Sequence, residues 1–310
     1  MNAPTRIITN VDSGYWREQF FPFLWGLLFP LRLYLRLFPL QRGKGIILRY
    51  LVLPLLPPLE AEFKMFLFGD VTITLRYRET LGLSSLLYGT FEFSELDFVR
   101  KYLRKGDNVV DIGANVGLFS VLMGVTLDGS GSLFAIEPEP ENFLRLKKNL
   151  DRNGLISINV FDCAIGEIDG QMKFNLATDS AYHALTEVQP NFANGKSILV
   201  RVRRLDSIWE DAGRPQIAFL KIDVEGGEVA VIHGACRLIE SCLPTILIEA
   251  NSTAKLDRLC ILLTSYGYQV MQPNGFNSHN YIFFHPIREQ DRSAISEIIN
   301  RLTLDANHND

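Results

Sequence analysis

Residues 108–117 read Asn-Val-Val-Asp-Ile-Gly-Ala-Asn-Val-Gly, an apolar run followed by a turn that contains two glycines. The run predicts a short buried strand over 108–112, and the apolar spacing after the turn predicts a helix over 118–125. Gly113 and Gly117 let the backbone turn sharply and approach a ligand without a Cβ clash. The free N–H groups at the start of the helix point at whatever lies there. The stretch therefore predicts a strand, a ligand-binding turn and a helix.

The alternation of strand and helix continues toward the C-terminus. Further strands are predicted at 132–137, 156–164, 217–224 and 245–249, with helices at 139–153, 227–241 and 253–266. An extra pair of strands is predicted at 171–176 and 198–203, around a polar loop. Strands at 268–271 and 281–285 are joined by a loop too short for a crossover helix, which predicts an antiparallel hairpin. The pattern therefore predicts an α/β fold with a mostly parallel seven-stranded sheet that ends in this hairpin.

Acidic residues close two consecutive strands of the predicted sheet. Asp111 ends the first strand and Glu137 ends the second. A dinucleotide-binding turn reads Gly-x-Gly-x-x-Gly, whereas this turn reads Gly-x-x-x-Gly and follows an acid that would repel a pyrophosphate. The acid instead suits a cationic or zwitterionic ligand, such as the methionine moiety of S-adenosylmethionine, and Glu137 can accept both hydroxyls of a ribose. An NAD-dependent oxidoreductase of similar fold is the competing enzyme class.

Taken together, these motifs resemble the FkbM family of S-adenosylmethionine-dependent methyltransferases, which have a class I, Rossmann-like fold. The resemblance covers about residues 90–285. Its motifs are the turn at 111–117, Glu137-Pro138, Asn149 and Asn153, Leu205-Asp206, the block Lys-Ile-Asp-Val-Glu-Gly-Gly-Glu at 221–228, and Ile248-Glu249. The family implies S-adenosyl-L-methionine as cofactor and O-methylation of a hydroxyl on a sugar, glycan, glycolipid or secondary metabolite.

The resemblance also implies which residues bind the cofactor. Those that shape the methionine end follow the first strand, and they are Asp111, Gly113, Asn115 and Gly117. Glu137 then takes the ribose. Asp162, with the backbone around Cys163 and Ala164, borders the adenine after the third strand.

The general base that removes the hydroxyl proton has three candidates, Asp223, Glu225 and His183. Asp223 ends the fourth strand, which by the resemblance faces the transferred methyl group. Asp223 and Glu225 alternate along the chain, so a regular strand would place only one of them on that side, and we favour Asp223. His183 lies in a polar loop that could fold over the acceptor or stay at the surface. Asp223, Glu225 and Glu249 could together hold Mg²⁺, but no ligand spacing singles them out, and we predict no metal.

The N-terminal segment differs from the rest of the chain. From Phe20 to Leu59, 25 of 40 residues are hydrophobic, five are basic and none is acidic. Prolines and basic residues interrupt its apolar runs, so it predicts neither a clean transmembrane helix nor a signal peptide. Arg32 and Arg36 share one helical face among leucines. This pattern predicts a helical segment lying on the cytoplasmic face of an anionic membrane. A lid over the catalytic domain or a homodimer surface is the alternative.

Composition sets the remaining bounds. The 310 residues are 47% hydrophobic and carry a net charge of −4, which excludes a disordered chain and argues against a nucleic-acid binder. Four cysteines without close spacing predict buried thiols in a reducing, cytoplasmic compartment. We divide the chain into the apolar segment 1–60, a lead-in strand and helix at 61–105, the catalytic domain 106–287 and a polar tail 288–310. A catalytically inactive, membrane-associated binding protein is a further alternative.

Overall fold

The computed structural model describes residues 60–88, 91–176 and 196–287, together with residues 7–8, 58, 184–185 and 295. Predictions at His183, along most of the apolar segment 20–59 and for the polar tail 288–310 therefore fall largely outside the described residues. The chain divides into two compact units, Met1–Phe91 and Glu92–Asp310. This boundary falls inside the lead-in segment 61–105. Among the described residues, no helix combines the length and apolarity needed to cross a bilayer.

The first unit contains a small antiparallel sheet. Strands β1 (Ile7–Ile8), β2 (Glu62–Phe66) and β3 (Thr72–Arg76) lie in that order, and helix α1 (Thr80–Tyr88) follows. Strand β3 confirms the strand predicted near residues 71–75. Alternate side chains of β2 and β3 are buried, namely Phe63, Met65, Ile73 and Leu75. This alternation is typical of an antiparallel sheet that buries one face.

The second unit is built on a seven-stranded sheet. Its strands are β4 (Asn108–Ile112), β5 (Ser132–Ile136), β6 (Asn159–Phe161), β11 (Ile217–Ile222), β12 (Thr245–Glu249), β13 (Gln269–Met271) and β14 (Asn280–Phe284). The order across the sheet is β13-β14-β12-β11-β4-β5-β6, and the five strands from β12 to β6 run parallel. Strand β14 is antiparallel to both of its neighbours. The predicted Rossmann-like α/β fold with a terminal hairpin is confirmed.

Helices cover both faces of this sheet. They are α2 (Phe93–Tyr102), α3 (Leu118–Leu127), α4 (Pro140–Arg152), α5 (Leu205–Asp211), α6 (Glu228–Gly234), α7 (Cys236–Cys242) and α8 (Thr253–Ser265). Core residues shared by the strands with α6 and α7 include Val110, Ile112, Leu220, Ile222, Ile232 and Leu238. On the opposite face, the Phe219 ring lies 6.5 Å from Phe98 and 5.7 Å from Tyr102 of α2. Burial of both faces explains why these parallel strands read as continuous apolar runs.

A second, smaller sheet adjoins the turn after β6. Its strands lie in the order β7 (Ala164–Ile165), β10 (Ser197–Arg203), β8 (Gly170–Asn175), β9 (Ala184–Leu185). Strands β8 and β10 are the predicted extra pair, and they pair antiparallel. The strand predicted over 156–164 is instead divided, because the chain leaves the large sheet after Phe161 and enters the small one at Ala164.

One helix start depends on distant residues, and one helix prediction requires correction. Helix α2 begins at Phe93, and Glu92 precedes it in the left-handed conformation. Buried Glu95 fixes this end, since its Oε1 accepts hydrogen bonds from Asn277 N and Asn280 Nδ2. The single helix predicted over 227–241 is interrupted at Ala235 and forms α6 and α7.

The break between α6 and α7 is held by Asp206, whose side chain is fully buried. Its Oδ1 accepts a hydrogen bond from Leu238 N at 2.9 Å. Its Oδ2 accepts from Arg204 Nη2 at 2.9 Å and from Arg237 N at 3.3 Å. Asp206 thus caps the first turn of α7 and neutralises a neighbouring guanidinium. The Leu205-Asp206 motif therefore has a structural explanation.

We expect Asp206→Asn to lower the free energy of unfolding by on the order of 3 kcal/mol, because it removes one charge of a buried, hydrogen-bonded pair. Urea denaturation followed by circular dichroism measures the change. Asp211→Asn is the matched control on the same helix, since the Asp211 side chain is 71% exposed and pairs only at the surface with Arg203. Its cost should stay below about 1 kcal/mol. Equal losses in the two variants would contradict the assignment.

Candidate active site

A cleft of about 630 Å³ opens at the carboxyl ends of the central strands. This is where the chain order switches between β4 and β11, the usual ligand position in open α/β sheets. Predicted residues that line the cleft are Gly113, Asn115, Glu137, Ala164, Asp223 and Glu225. The structure thus gathers most of the predicted cofactor and catalytic residues around one opening. His183 lies outside the described residues.

Gly113 brings two turns into contact at the floor of the cleft. A Cβ atom on Gly113 would lie 1.8 Å from the backbone oxygen of Asp223, and Gly113 has a φ of +76°. Asp223 N donates to Ile112 O at 3.0 Å, so the turn after β4 and the turn after β11 are joined through their backbones. Only glycine combines this conformation with so close an approach. The sequence predicted a glycine requirement at this turn, and the backbone contact at the cleft explains it.

Gly117 has a packing role one turn further on. It has a φ of +96°, and an added Cβ would lie 2.7 Å from the Leu146 side chain. Gly117 is not among the residues that line the cleft. It lets α3 begin close against α4, and so its effect on a ligand is exerted through the position of the helix.

Glu137 forms one side of the cleft with both carboxylate oxygens already engaged. Oε2 accepts a hydrogen bond from Asn115 N at 2.8 Å, and Oε1 accepts from Glu139 N at 2.9 Å. Burial raises the pKa of Glu137 to about 8, although these two backbone hydrogen bonds oppose the shift. Each carboxylate oxygen retains a second lone pair. Glu137 can therefore accept two further hydroxyl donors from a ligand.

Asp111 lies beneath the cleft. Its side chain is fully buried, and its Oδ2 accepts a hydrogen bond from Ser120 Oγ at 2.5 Å. Its Oδ1 lies 3.8 Å from the ammonium nitrogen of Lys221. Because Asp111 is absent from the cleft lining, it acts on a ligand through its neighbours.

The turn after β6 contributes backbone and small side chains. Cys163 and Ala164 line the cleft and are buried. The Asp162 side chain instead points to the surface, where it is 64% exposed and accepts a hydrogen bond from Arg201 Nη2 at 2.7 Å. The structure thus places the backbone of this turn, and not the Asp162 carboxylate, beside the cleft. All four cysteines are free thiols, of which Cys163 and Cys242 are buried.

Asp223 and Glu225 both face the cleft, contrary to the expectation that only one could. Strand β11 ends at Ile222, and Glu225 adopts a left-handed φ of 47°, so the two residues do not alternate as in a strand. Carboxylate oxygens of Asp223, Glu225 and Glu249 all lie within 4.8 Å of one another. The cleft therefore ends in a cluster of three carboxyl groups.

Charge within this cluster is unevenly distributed. Burial alone would raise the pKa of Asp223, but the Lys221 ammonium, 3.0 Å from its Oδ2, and a hydrogen bond from Glu249 hold it below its usual range. Burial and the Asp223 charge raise the pKa of Glu249 to about 9 and that of Glu225 to about 7. At neutral pH, Asp223 is therefore ionised and Glu249 is protonated and donates to it.

The carboxyl cluster fits a divalent cation poorly. Mg²⁺ requires several ionised or carbonyl oxygens in near-octahedral geometry. Here Lys221 already supplies a positive charge at Asp223 and donates to its Oδ2 at 3.0 Å. The carboxyl groups of this cluster thus lie around an internal cation, the Lys221 ammonium.

Two residues of this region, Glu92 and Lys221, were given no role from the sequence. Glu92 lies in the predicted lead-in segment, and Asn280 Nδ2 donates to its Oε1 at 3.2 Å. Burial, together with the Asp223 charge, raises the pKa of Glu92 to about 7. No sequence signal marks Glu92. Lys221 could have been noticed, since a lysine interrupts an otherwise apolar strand.

Comparison with known proteins places this site in a family. Residues 111–270 match the methyltransferase FkbM domain. Methyltransferase 1 of Beauveria bassiana is 26% identical over 180 residues, which cover 52% of this chain and 72% of that protein. The 31-O-demethyl-FK506 methyltransferase FkbM of Streptomyces tacrolimicus is 26% identical over 239 residues, 66% of this chain and 91% of that protein. Hexuronic acid methyltransferase AglP of Haloferax volcanii is 27% identical over 157 residues, 47% of this chain and 59% of that protein.

Two glycines with similar backbone angles test the contact at the cleft floor. We expect Gly113→Ala to abolish folding or to cost more than about 4 kcal/mol, because its Cβ would overlap the Asp223 carbonyl. Gly129→Ala is the control, with a φ of +73° and nothing within 4 Å of an added Cβ. Its cost should be only the left-handed penalty of about 1–2 kcal/mol. Chemical denaturation measures both, and similar losses would refute the importance of the contact.

Proposed function

This chain belongs to the FkbM family of methyltransferases, and from that premise we propose that it transfers a methyl group from S-adenosylmethionine to a hydroxyl group. The acceptor is a sugar, glycolipid or secondary metabolite. The observation that carries the proposal is the ionised Asp223 carboxylate in the same cleft as Glu137 and the turn at residues 113–115. Family membership replaces the oxidoreductase alternative.

The residues of the cleft fit S-adenosylmethionine in three places. Glu137 has two lone pairs left for the ribose hydroxyls. Backbone at Gly113 and Asn115 borders the methionine end, and the turn at Cys163 and Ala164 borders the adenine. When bound, S-adenosylmethionine supplies a methyl group on a positively charged sulfur. The ionised Asp223 carboxylate in the cleft favours such a cation.

Asp223 is the general base in this proposal. Its carboxylate is ionised at neutral pH and lines the cleft, so it can take the acceptor hydroxyl proton without first losing its own. Orientation of the acceptor oxygen in line with the methyl group supplies much of the remaining acceleration. Glu225 lies beside Asp223 and, with a pKa of about 7, is the second group that could exchange the proton with solvent.

The charge of the cleft also bears on the acceptor. The Streptomyces relative is named for 31-O-demethyl-FK506, and the Haloferax relative for hexuronic acid. In this chain, the ionised Asp223 lies near Glu92 and Glu225, whose pKa values are raised to about 7, so an acceptor carboxylate would meet like charge. We therefore infer a neutral hydroxyl acceptor in preference to a uronic acid.

Calorimetry with S-adenosylhomocysteine and a methylation assay test the proposal together. We expect wild type and Asp223→Asn to bind S-adenosylhomocysteine alike, and Glu137→Gln to bind it about tenfold more weakly or worse, because the amide replaces one of the two oxygens that accept from the ribose hydroxyls. In assays with a methyl hexoside, glucuronic acid and a macrolide alcohol, mass spectrometry should detect a gain of one methylene on a neutral acceptor. Asp223→Asn should reduce that rate by about 10²–10⁴-fold.

Glu240→Gln, at an exposed position on α7, is the control for both assays and should behave like wild type. Failure of the folded protein to bind S-adenosylhomocysteine, with protection by NAD(H) in its place, would overturn the proposal.

The basic N-terminal segment supports a separate proposal about location. We propose that residues 20–59 hold the protein on anionic membranes, since they combine five basic residues with 25 hydrophobic ones. In liposome flotation, the full chain should float with vesicles that contain phosphatidylserine. With neutral vesicles it should stay in the bottom fraction. The double variant R32E/R36E should lose flotation. Equal flotation of the variant and the wild-type chain would reject the contact.

A further inference from the structure

Lys221 occupies a position in β11 that normally holds an apolar side chain. It is 6% exposed, and its neighbours Leu220 and Ile222 are fully buried. Its ammonium nitrogen lies 4.9 Å from the centre of the Phe119 ring of α3. An ammonium group in such surroundings is costly unless it is paired. Its partners therefore indicate why the strand carries a lysine.

The partners of Lys221 form a chain that leads into the cleft. Lys221 and Asp111 are register partners on adjacent parallel strands, and the two side chains lie on the same face of the sheet. Asp111 is fixed from behind by Ser120, and it lies 3.8 Å from the lysine nitrogen. In front, the same nitrogen donates to Asp223 Oδ2 at 3.0 Å. The lysine thus connects a buried, immobile carboxylate to the one that lines the cleft.

We propose that Lys221 is a positioning residue for methyl transfer, which keeps the Asp223 carboxylate ionised and directed into the cleft; the proposal rests on the function proposed above. The proton of the acceptor hydroxyl passes to an Asp223 oxygen, and the electron pair of the broken O–H bond stays on the acceptor oxygen. Lys221 contacts neither substrate and acts through Asp223.

The surroundings of Asp223 explain why a cation is needed there. Acids that face Asp223 come from four parts of the chain, and they are Glu92, Asp111, Glu225 and Glu249. Lys255 of α8 is the second cation that acts on Asp223, and it ion-pairs with Glu228 at 3.3 Å. With Lys221 made neutral, burial and the acids would act on Asp223 against only the hydrogen bond from Glu249 and the charge of Lys255. Asp223 would then hold its proton up to a higher pH, and a smaller fraction of it would be ionised and able to act as a base.

Glu249 completes the arrangement on the opposite side. Protonated at neutral pH, it donates a hydrogen bond to Asp223, whereas an ionised Glu249 would repel it. Asp223 therefore receives one hydrogen bond from a cation and one from a neutral acid. Two donors on a single carboxylate restrict its rotation as well as its protonation.

Carbon-13 NMR of protein labelled at aspartate Cγ tests the proposal without an acceptor. The Asp223 signal is the one lost in Asp223→Asn. In wild type it should titrate below the usual aspartate range, and in Lys221→Met its midpoint should rise by about two pH units. Lys221→Arg should bring the midpoint of the Asp223 titration most of the way back to its wild-type value. Lys148→Met, at an exposed position on α4, is the matched control and should leave the midpoint unchanged.

Calorimetry with S-adenosylhomocysteine on the same samples separates the two proposals. We expect Lys221→Met to fold and to bind S-adenosylhomocysteine like wild type. If it binds but the Asp223 midpoint is unchanged, Lys221 does not position Asp223. If Lys221→Met fails to fold, the wild-type titration still decides, since a midpoint at or above the ordinary aspartate value overturns the proposal. Loss of binding in wild type would count against the proposed function alone.

Discussion

The contact between the turns after β4 and β11 is the constraint on which the site depends. At Gly113, the backbone of one turn lies against the Asp223 carbonyl, with no room for a Cβ atom. A hydrogen bond from Asp223 N to Ile112 O at 3.0 Å closes the same contact from the other side. Because each turn carries one half of the cleft, their separation fixes the distance between the cofactor half and the catalytic half. Positioning of this kind is what a reaction limited by alignment requires.

A second constraint is electrostatic. The region around Asp223 contains more acids than it can ionise together, so the groups divide into charged and neutral forms. Asp223 keeps its charge beside Lys221, whereas Glu249 is neutral at pH 7. Environments that separate the pKa values of neighbouring acids assign them different roles. In the proposed mechanism one carboxyl group is the base and the other is a hydrogen-bond donor, although their side chains differ by a single methylene.

Much of the fold could be predicted from local patterns. Strands β4 and β12 have the predicted bounds, and the hairpin of β13 and β14 follows from the length of its connecting loop. These features depend on residues that are close in sequence. Errors occurred where distant residues decide the outcome. Asp206, about 30 residues upstream of α7, caps that helix and accounts for the break in the predicted single helix over 227–241.

The two halves of the site were unequally predictable for the same reason. The cofactor half follows consecutive strands, and its turns carry glycines and acids that a sequence displays directly. The catalytic half could be placed only by assuming a regular strand through Asp223 and Glu225, and the chain leaves the sheet at Ile222. Lys221 was read as part of a motif without a role, because its partner Asp111 lies 110 residues earlier.

The separation of the site into a cofactor half and a catalytic half bears on how acceptor choice can vary within one fold. The cofactor half is made largely of backbone contacts that tolerate little change, as the 1.8 Å approach at Gly113 illustrates. The catalytic end is made of side chains from separate segments, with Glu92 before α2 held by Asn280 of β14. A substitution at Glu92 can alter the charge that an acceptor meets without disturbing the joined turns. The ion pair between Lys221 and Asp223 does not involve Glu92, so under the proposed mechanism such a variant would keep its base. In this proposal, acceptor specificity and proton removal belong to different residues of one cluster.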